Sequence, residues 1–336
     1  MNRNMLALAV AGAFAVPGLA MAQSTVQIYG NVRILFENVD PDTIDGPGNQ
    51  NGSRWRVNNP GGSRIGFKGT EALGGGTSAW FQIESNISGT DGTSGGALGS
   101  RNTAVGLRGG FGNVFLGNWD SPYKLQLTAL QPWGATTSYG SVGIMGHGDT
   151  TGPAFVTTGT FASTANLASV ASYGFERRLN NSVQYQSPSF GGFQGKFAYQ
   201  ANEGKNTTVG NSDPDLWSAS LVYNNGPIYA GLAYERHNDF LGRDLTDDGL
   251  NLSLRYRTRV FDIGVSWERL EYEPTQTTDL ERDAWQIFGQ YFIGPHRIGL
   301  GFIKADDSEG SYTAGPAVGA IGPAGTNNGA KQWTLH

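Results

Sequence analysis

Three groupings in this 336-residue chain have the residue types that chemistry uses. Gly92-Thr93-Ser94-Gly95-Gly96 matches G-x-S-x-G, the turn that presents a nucleophilic serine between a strand and a helix. Here the match sits in a glycine-rich stretch with no strand-to-helix context, so the serine has no elbow to stand on. The four histidines, His147, His237, His296 and His336, are far apart in sequence. None has the paired spacing of a helical metal site, so no metal is implied. Asp247-Asp248 and Asp306-Asp307-Ser308-Glu309 are acidic clusters. They could draw divalent cations, or lipopolysaccharide through bridging ions, but they lack a full calcium-loop pattern and read better as solvated loops. No phosphate-cradling loop occurs, and no cofactor is implied.

What remains are charged residues spaced by two along apolar stretches. Arg33, Arg64 and Lys68 each alternate with aliphatic or aromatic neighbours. In Val26–Glu37 the even positions Val26, Ile28, Val32, Ile34 and Phe36 are apolar, while Gln27, Asn31, Arg33 and Glu37 are polar. A period of two puts successive side chains on opposite faces of a β-strand. By itself that fits a soluble sandwich or a membrane barrel.

The chain opens with Arg3, an apolar run from Met5 to Val16 and an Ala20-x-Ala22 end. This is the layout of a signal peptide, residues 1–22, cut before Gln23; the apolar run is too short for a membrane helix, which needs about 20 residues. Without Arg3, the 23 basic residues become 22 against 28 acidic ones, a net charge of −6. So mild an acidic balance gives no reason to expect a nucleic-acid partner. Cysteine is absent from a chain read as exported, so hydrogen bonds and packing must hold the fold. The 51 glycines are about twice the usual share of ~7%, and no later apolar run is long enough for a helical span.

The alternation predicts strands at 26–38, 63–70, 77–87, 101–109, 113–119, 180–188, 193–201, 215–224, 228–237, 248–258, 260–272, 282–293 and 296–305, with a fourteenth starting near Ala330. Short connections such as Gly109–Gly112 and Asn225-Gly226-Pro227 alternate with long polar ones at 39–62, 88–100, 120–179, 202–214, 238–247, 273–281 and 306–329. Short turns on one rim and long loops on the other are the layout of a transmembrane β-barrel, and a soluble sandwich has no reason to keep it. Aromatics near strand ends, among them Phe36, Trp80, Tyr123, Trp217, Tyr223, Tyr229, Tyr234, Tyr256, Trp267, Tyr272, Trp285 and Tyr291, suggest the two girdles expected at the membrane borders. The fold class is therefore all-β, an antiparallel transmembrane barrel with thirteen to fourteen strands present.

Several stretches also resemble a family, the general porins of Gram-negative bacteria, most of all their betaproteobacterial branch. The resemblance rests on Val26-Gln27-Ile28-Tyr29-Gly30, on Ser63–Gly76, on Arg101–Gly117 and on Asn181–Phe193. It implies a sixteen-stranded barrel assembled as a homotrimer in the outer membrane, in contact with its lipid and lipopolysaccharide. It also implies a passive channel for small hydrophilic solutes and ions, and residues 120–179 as a loop folded inward to narrow the pore. On that pattern residues 23–336 form the porin domain, cut short at the C-terminus because the family closes with further strands and commonly ends in Phe.

Pore-lining positions follow from pleat parity and from the family pattern. Arg64 matches a basic wall position; the other basic positions of the family fall on Asn31, Asn118 and Gln186, none of them charged, with Arg33, Lys68 and the Arg177-Arg178 pair as compensation. Between Ser121 and Phe175 the only acid is Asp149. Such a sparse set predicts a weak transverse field and a modest anion preference. A substrate-specific channel with a saturable site is the alternative. An outer-membrane barrel enzyme would need His, Asp and Ser gathered at one rim, and the sequence offers no such set.

Overall fold

A computed structural model describes residues 26–39, 54–58, 62–87, 97–131, 144–147, 174–201, 214–314, 324–325 and 328–335. The predicted signal peptide and Asp149 lie outside them. The strands are β1 (Gln27–Asn31), β2 (Leu35–Val39), β3 (Arg54–Asn58), β4 (Arg64–Gly74), β5 (Thr77–Asn86), β6 (Thr103–Gly109), β7 (Gly112–Asp120) and β8 (Arg178–Gln186). They continue as β9 (Phe193–Gln200), β10 (Asp215–Asn225), β11 (Ile228–Asn238), β12 (Thr246–Arg257), β13 (Phe261–Thr275), β14 (Thr278–Ile293), β15 (His296–Ala305) and β16 (Ala330–Leu335). Fourteen of them form one antiparallel sheet in the order β1, then β4 through β16, with β1 and β16 at its two ends. The remaining pair, β2 and β3, makes a separate two-stranded sheet.

The first predicted strand, 26–38, is thus two strands. The break falls at residues 32–34, where Ser63 Oγ accepts from the Arg33 N–H (2.9 Å) and donates to the Arg33 carbonyl (3.2 Å). A side chain thereby satisfies backbone groups that a ladder partner would otherwise take, and β2 is freed to pair with β3. The predicted long loop at 273–281 is corrected as well. β13 and β14 run on to a two-residue turn, with a register shift between Tyr272 and Thr275, beside Pro274, whose ring nitrogen has no hydrogen to donate to the ladder.

The sheet is apolar on the side that faces away from the chain and polar on the side that is covered. Along β12, Leu252 and Leu254 are 45% and 53% exposed, while their neighbours Asn251 and Ser253 are buried. Val265 and Ile287 stand out in the same way beside buried Ser266 and Gln286. In water each aliphatic side chain left out forgoes about 1.5–3 kcal/mol of burial. In a bilayer the same face is satisfied, whereas a charge there would cost about 2–4 kcal/mol at the midplane.

Aromatic rings border this outer face. Near the ends toward the longer connections, Trp217 packs on Tyr234 (5.1 Å between centroids) and Phe302 on Trp285 and Trp333 (5.4 and 4.3 Å). Near the short turns Phe193 meets Tyr223 (4.7 Å) and Tyr256 meets Phe261 (5.8 Å). Four of the expected girdle residues belong elsewhere. Trp80, Tyr123, Tyr229 and Tyr272 turn to the inner side, Tyr272 edge-on to Phe175 at 5.9 Å between centroids.

Candidate functional site: the inner wall

The inner wall takes its shape from a segment that leaves β7 and returns as β8. Its first turns form helix α1 (Pro122–Ala129), opened by Ser121, whose hydroxyl accepts from the Lys124 N–H (3.1 Å), and by Pro122 at the first helical position, where a missing N–H is harmless. The helix lies on the inner face of β9–β12. Tyr229 Oη donates to Gln126 Oε1 (2.7 Å), and Arg255 Nη1 donates to the Ala129 carbonyl (2.6 Å). Gly231 makes room for this contact, because a Cβ there would sit on the Gln126 amide.

One carboxylate holds two distant parts of that segment. Glu268, fully buried, accepts from Tyr123 Oη (2.9 Å) and from the Gly146 N–H (2.6 and 2.8 Å to its two oxygens). Arg282, whose charge faces that carboxylate, donates to the Ile144 carbonyl (2.8 Å). Farther along, Phe175 stacks on His237 (4.3 Å), His237 on Phe240 (4.5 Å), and the Arg177 guanidinium lies over the Phe240 ring (4.8 Å). Residues 120–131, 144–147 and 174–179 are thereby pinned to the wall.

On the opposite wall, β1 and β4–β8, the charges are mostly basic. Glu84 is the hub. Arg101 Nε lies 2.7 Å from it and Arg64 Nη1 3.6 Å, and Tyr29 Oη donates to it (3.0 Å). Lys68 sits over the Tyr29 ring, 5.1 Å from its centroid. With its amide turned to donate to the Gly62 carbonyl, Asn31 accepts from Arg33 Nε (3.0 Å). Arg64, Lys68 and Arg101 therefore outnumber Glu84 in this cluster. Around the root of α1 the charges balance, with Lys124 and Arg178 on Asp120 (3.4 and 3.0 Å) and Lys124 also on Glu176 (3.3 Å).

Of the predicted pore residues, Arg64, Arg33, Lys68 and Asn31 are gathered in one cluster, and Gln186 lies on the same inner face farther round, cross-strand from Lys196. Asn118 is placed differently. Its pleat position is that of Leu116, and its amide donates to the Arg101 and Gly99 carbonyls (3.0 and 3.5 Å). Arg178 pairs with Asp120 and Asn102, whereas Arg177 packs against Phe240. Arg101 and the Glu268 anchor went unpredicted. Arg101 stands at the edge of a predicted strand, and Glu268, although on the inner parity, has partners more than a hundred residues away.

A sheet of this size with an apolar exterior, aromatic borders and a polar, charge-bearing interior defines a class, the β-barrel channels of outer membranes. Comparison with known proteins makes the class specific. The pattern of the family described as Gram-negative porin matches residues 7–336. The outer membrane porin protein 32 of Delftia acidovorans is 30% identical over 90% of this chain and 78% of its own length. The major outer membrane protein P.IB of Neisseria meningitidis is 30% identical over 75% of this chain. This chain spans 63% of that protein's length. Among solved structures, an anion-selective porin from Comamonas acidovorans superposes with a TM-score of 0.68 at 25% identity, covering 85% of this chain and 79% of the other. A trimer form of OmpT from Vibrio cholerae shares the fold (TM-score 0.56, 16% identity, covering 87% of this chain and 80% of the other). The chain belongs to the Gram-negative porin family, whose place is the outer membrane.

Proposed function

We propose that the chain forms a water-filled pore through which small hydrophilic solutes and ions diffuse passively, with a modest preference for anions, and that it performs no chemistry on them. The observation that carries the reading is the excess of positive charge on the inner wall around Glu84, where Arg64 and Arg101 flank that one carboxylate and Lys68 stands nearby over the Tyr29 ring. Basic side chains lining a narrow passage raise the local concentration of anions. The name of the Comamonas relative agrees.

Three further parts of the reading rest on the family. Residues 120–179 act as the constriction loop, a role supported by the contacts of α1, Gly146 and Phe175 with the inner wall. The working unit is a homotrimer, in line with the trimeric form of OmpT, seated among lipid and lipopolysaccharide. Residues 1–22 are a leader removed on export. The test of selectivity is the reversal potential across a planar bilayer in a potassium chloride gradient. An anion-preferring potential that falls toward zero in Arg64→Gln and Arg101→Gln supports the reading, and a clear cation preference defeats it.

A further inference from the structure

The inner wall carries an aromatic cluster that the electrostatic reading leaves unused. Trp80 on β5, Phe115 and Trp119 on β7 meet pairwise at 5.3–5.7 Å between centroids, tilted or edge-on. Phe115 is buried beneath the two indoles, 1% exposed, while Trp80 and Trp119 stay partly open. Tyr123, Phe175 and Tyr272, by contrast, are wholly buried. Two features build the cluster. Gly106 lies under it, where a Cβ would come within 2.6 Å of Phe115 Cβ and 2.8 Å of the Trp80 nitrogen. Unbroken alternation along β7 from Phe115 through Gly117 sets Trp119 on the inner face, the extra residue of the register shift there lying on β8. Trp80 Nε1 is committed to Asn113 Oδ1 (2.7 Å), but the Trp119 N–H donates to nothing among the described residues.

Two cations flank the rings. Lys68 faces Gln82 and Thr70 faces Trp80 in the β4–β5 register, so Lys68 is a diagonal neighbour of Trp80, about 7–8 Å away at the backbone. Among the described residues it has no acidic partner. Arg108, exposed on β6, reaches across to Thr70 Oγ1 (3.0 Å). Flat half-open rings with a free indole N–H, and a nearby ammonium whose neighbour is the Tyr29 ring and not a carboxylate, suit a ligand that is itself flat and singly negative.

We propose that Trp80 and Trp119 form a stacking subsite for small aromatic carboxylates, with the ring on the indoles and the carboxylate toward Lys68. The proposal rests on the channel reading and deepens it. The pore would delay one class of solute while passing others freely.

The test records single channels of the full chain in potassium chloride, with sodium benzoate or sodium acetate added. Benzoate is expected to lower the chloride current saturably, and acetate, which has the same charge and no ring, to leave it nearly unchanged. Trp119→Leu and Trp80→Leu should raise the half-blocking benzoate concentration about three- to tenfold, the size of one lost aromatic contact. Lys68→Gln, which removes the ammonium from an exposed site and touches no residue of the aromatic cluster, should weaken benzoate block without altering the response to neutral benzamide. Equal effects of benzoate and acetate on the wild-type channel would overturn the subsite, as would benzoate block unchanged in all three variants. A chain that folds yet carries no chloride current would overturn the channel reading beneath it, a result distinct from open channels indifferent to benzoate.

Discussion

Replacing Glu268 should release the inner segment from the wall, and the size of the effect can be worked from its contacts. The carboxylate accepts from Tyr123 Oη and from the Gly146 N–H, 23 residues apart. Hydrogen bonds to a charged group are worth about 1.5–3 kcal/mol each, so Glu268→Ala loses about 3–6 kcal/mol of anchoring. It also leaves Arg282 buried without the facing charge. Glu268→Gln keeps an acceptor but not the charge, and charge-assisted bonds are roughly twice as strong as neutral ones, so about half the loss is expected. Tyr123→Phe removes one such bond, about 1.5–3 kcal/mol, but keeps the charge facing Arg282, which Glu268→Gln also loses, so its effect is the smallest. At 1.4 kcal/mol per factor of ten, the alanine variant moves the anchored-to-released ratio by about two to four powers of ten. Single-channel recording reads this directly. Current noise and conductance should rise in the order Tyr123→Phe, Glu268→Gln, Glu268→Ala, with folding confirmed by heat-modifiable migration on gels. Folded variants with wild-type noise and conductance, or a larger effect from Tyr123→Phe than from Glu268→Ala, would refute the anchoring argument.

Other outcomes follow from the wall itself. Gly106→Ala puts a Cβ against the Val114 carbonyl and Phe115 Cβ, both 2.6 Å away. It should destabilise the fold by about 1–3 kcal/mol, seen as a lower temperature for gel-mobility conversion. Leu252→Arg places a charge on the outer face and should cost up to about 2–4 kcal/mol in urea titrations of the protein folded in vesicles. The neighbouring Ser253→Ala should cost far less. Ser63→Ala removes the hydroxyl that serves both backbone groups of Arg33 and should speed amide exchange at residues 32–34 without moving β4.

Period-two alternation was enough to read the strands, because lipid on one side and water on the other enforce it residue by residue. That is why Leu250 to Tyr256 could be assigned from sequence almost to the residue. The exceptions are places where a side chain overrides the ladder. Ser63 breaks the first strand, and at Pro274 the register slips while the hairpin runs on to the turn at Gln276-Thr277, so a stretch with loop-like composition became strand. Polarity and parity also placed Arg64 and Lys68 on the inner wall. They could not place Arg101 beside Glu84 or Glu268 beneath Gly146, since those contacts join segments that only the folded sheet brings together. Trp80 shows the same limit from the other side. Its position near a strand end suits a girdle, and only the packing against Phe115 and Trp119 reveals that it faces inward.

The central claim is that the polar face lines water and the apolar face meets lipid. A chain with no cysteine permits a direct test by single cysteine replacements at Gln186, Gln194 and Gln82 on one face and at Leu252, Val265 and Val183 on the other. Each would be recorded in a planar bilayer while a charged, membrane-impermeant thiol reagent is added. The account predicts stepwise loss of current at the first three positions, and no change at the second three, which react only with a lipid-soluble maleimide. Current loss at Leu252, Val265 and Val183 with silence at the inner positions would contradict it.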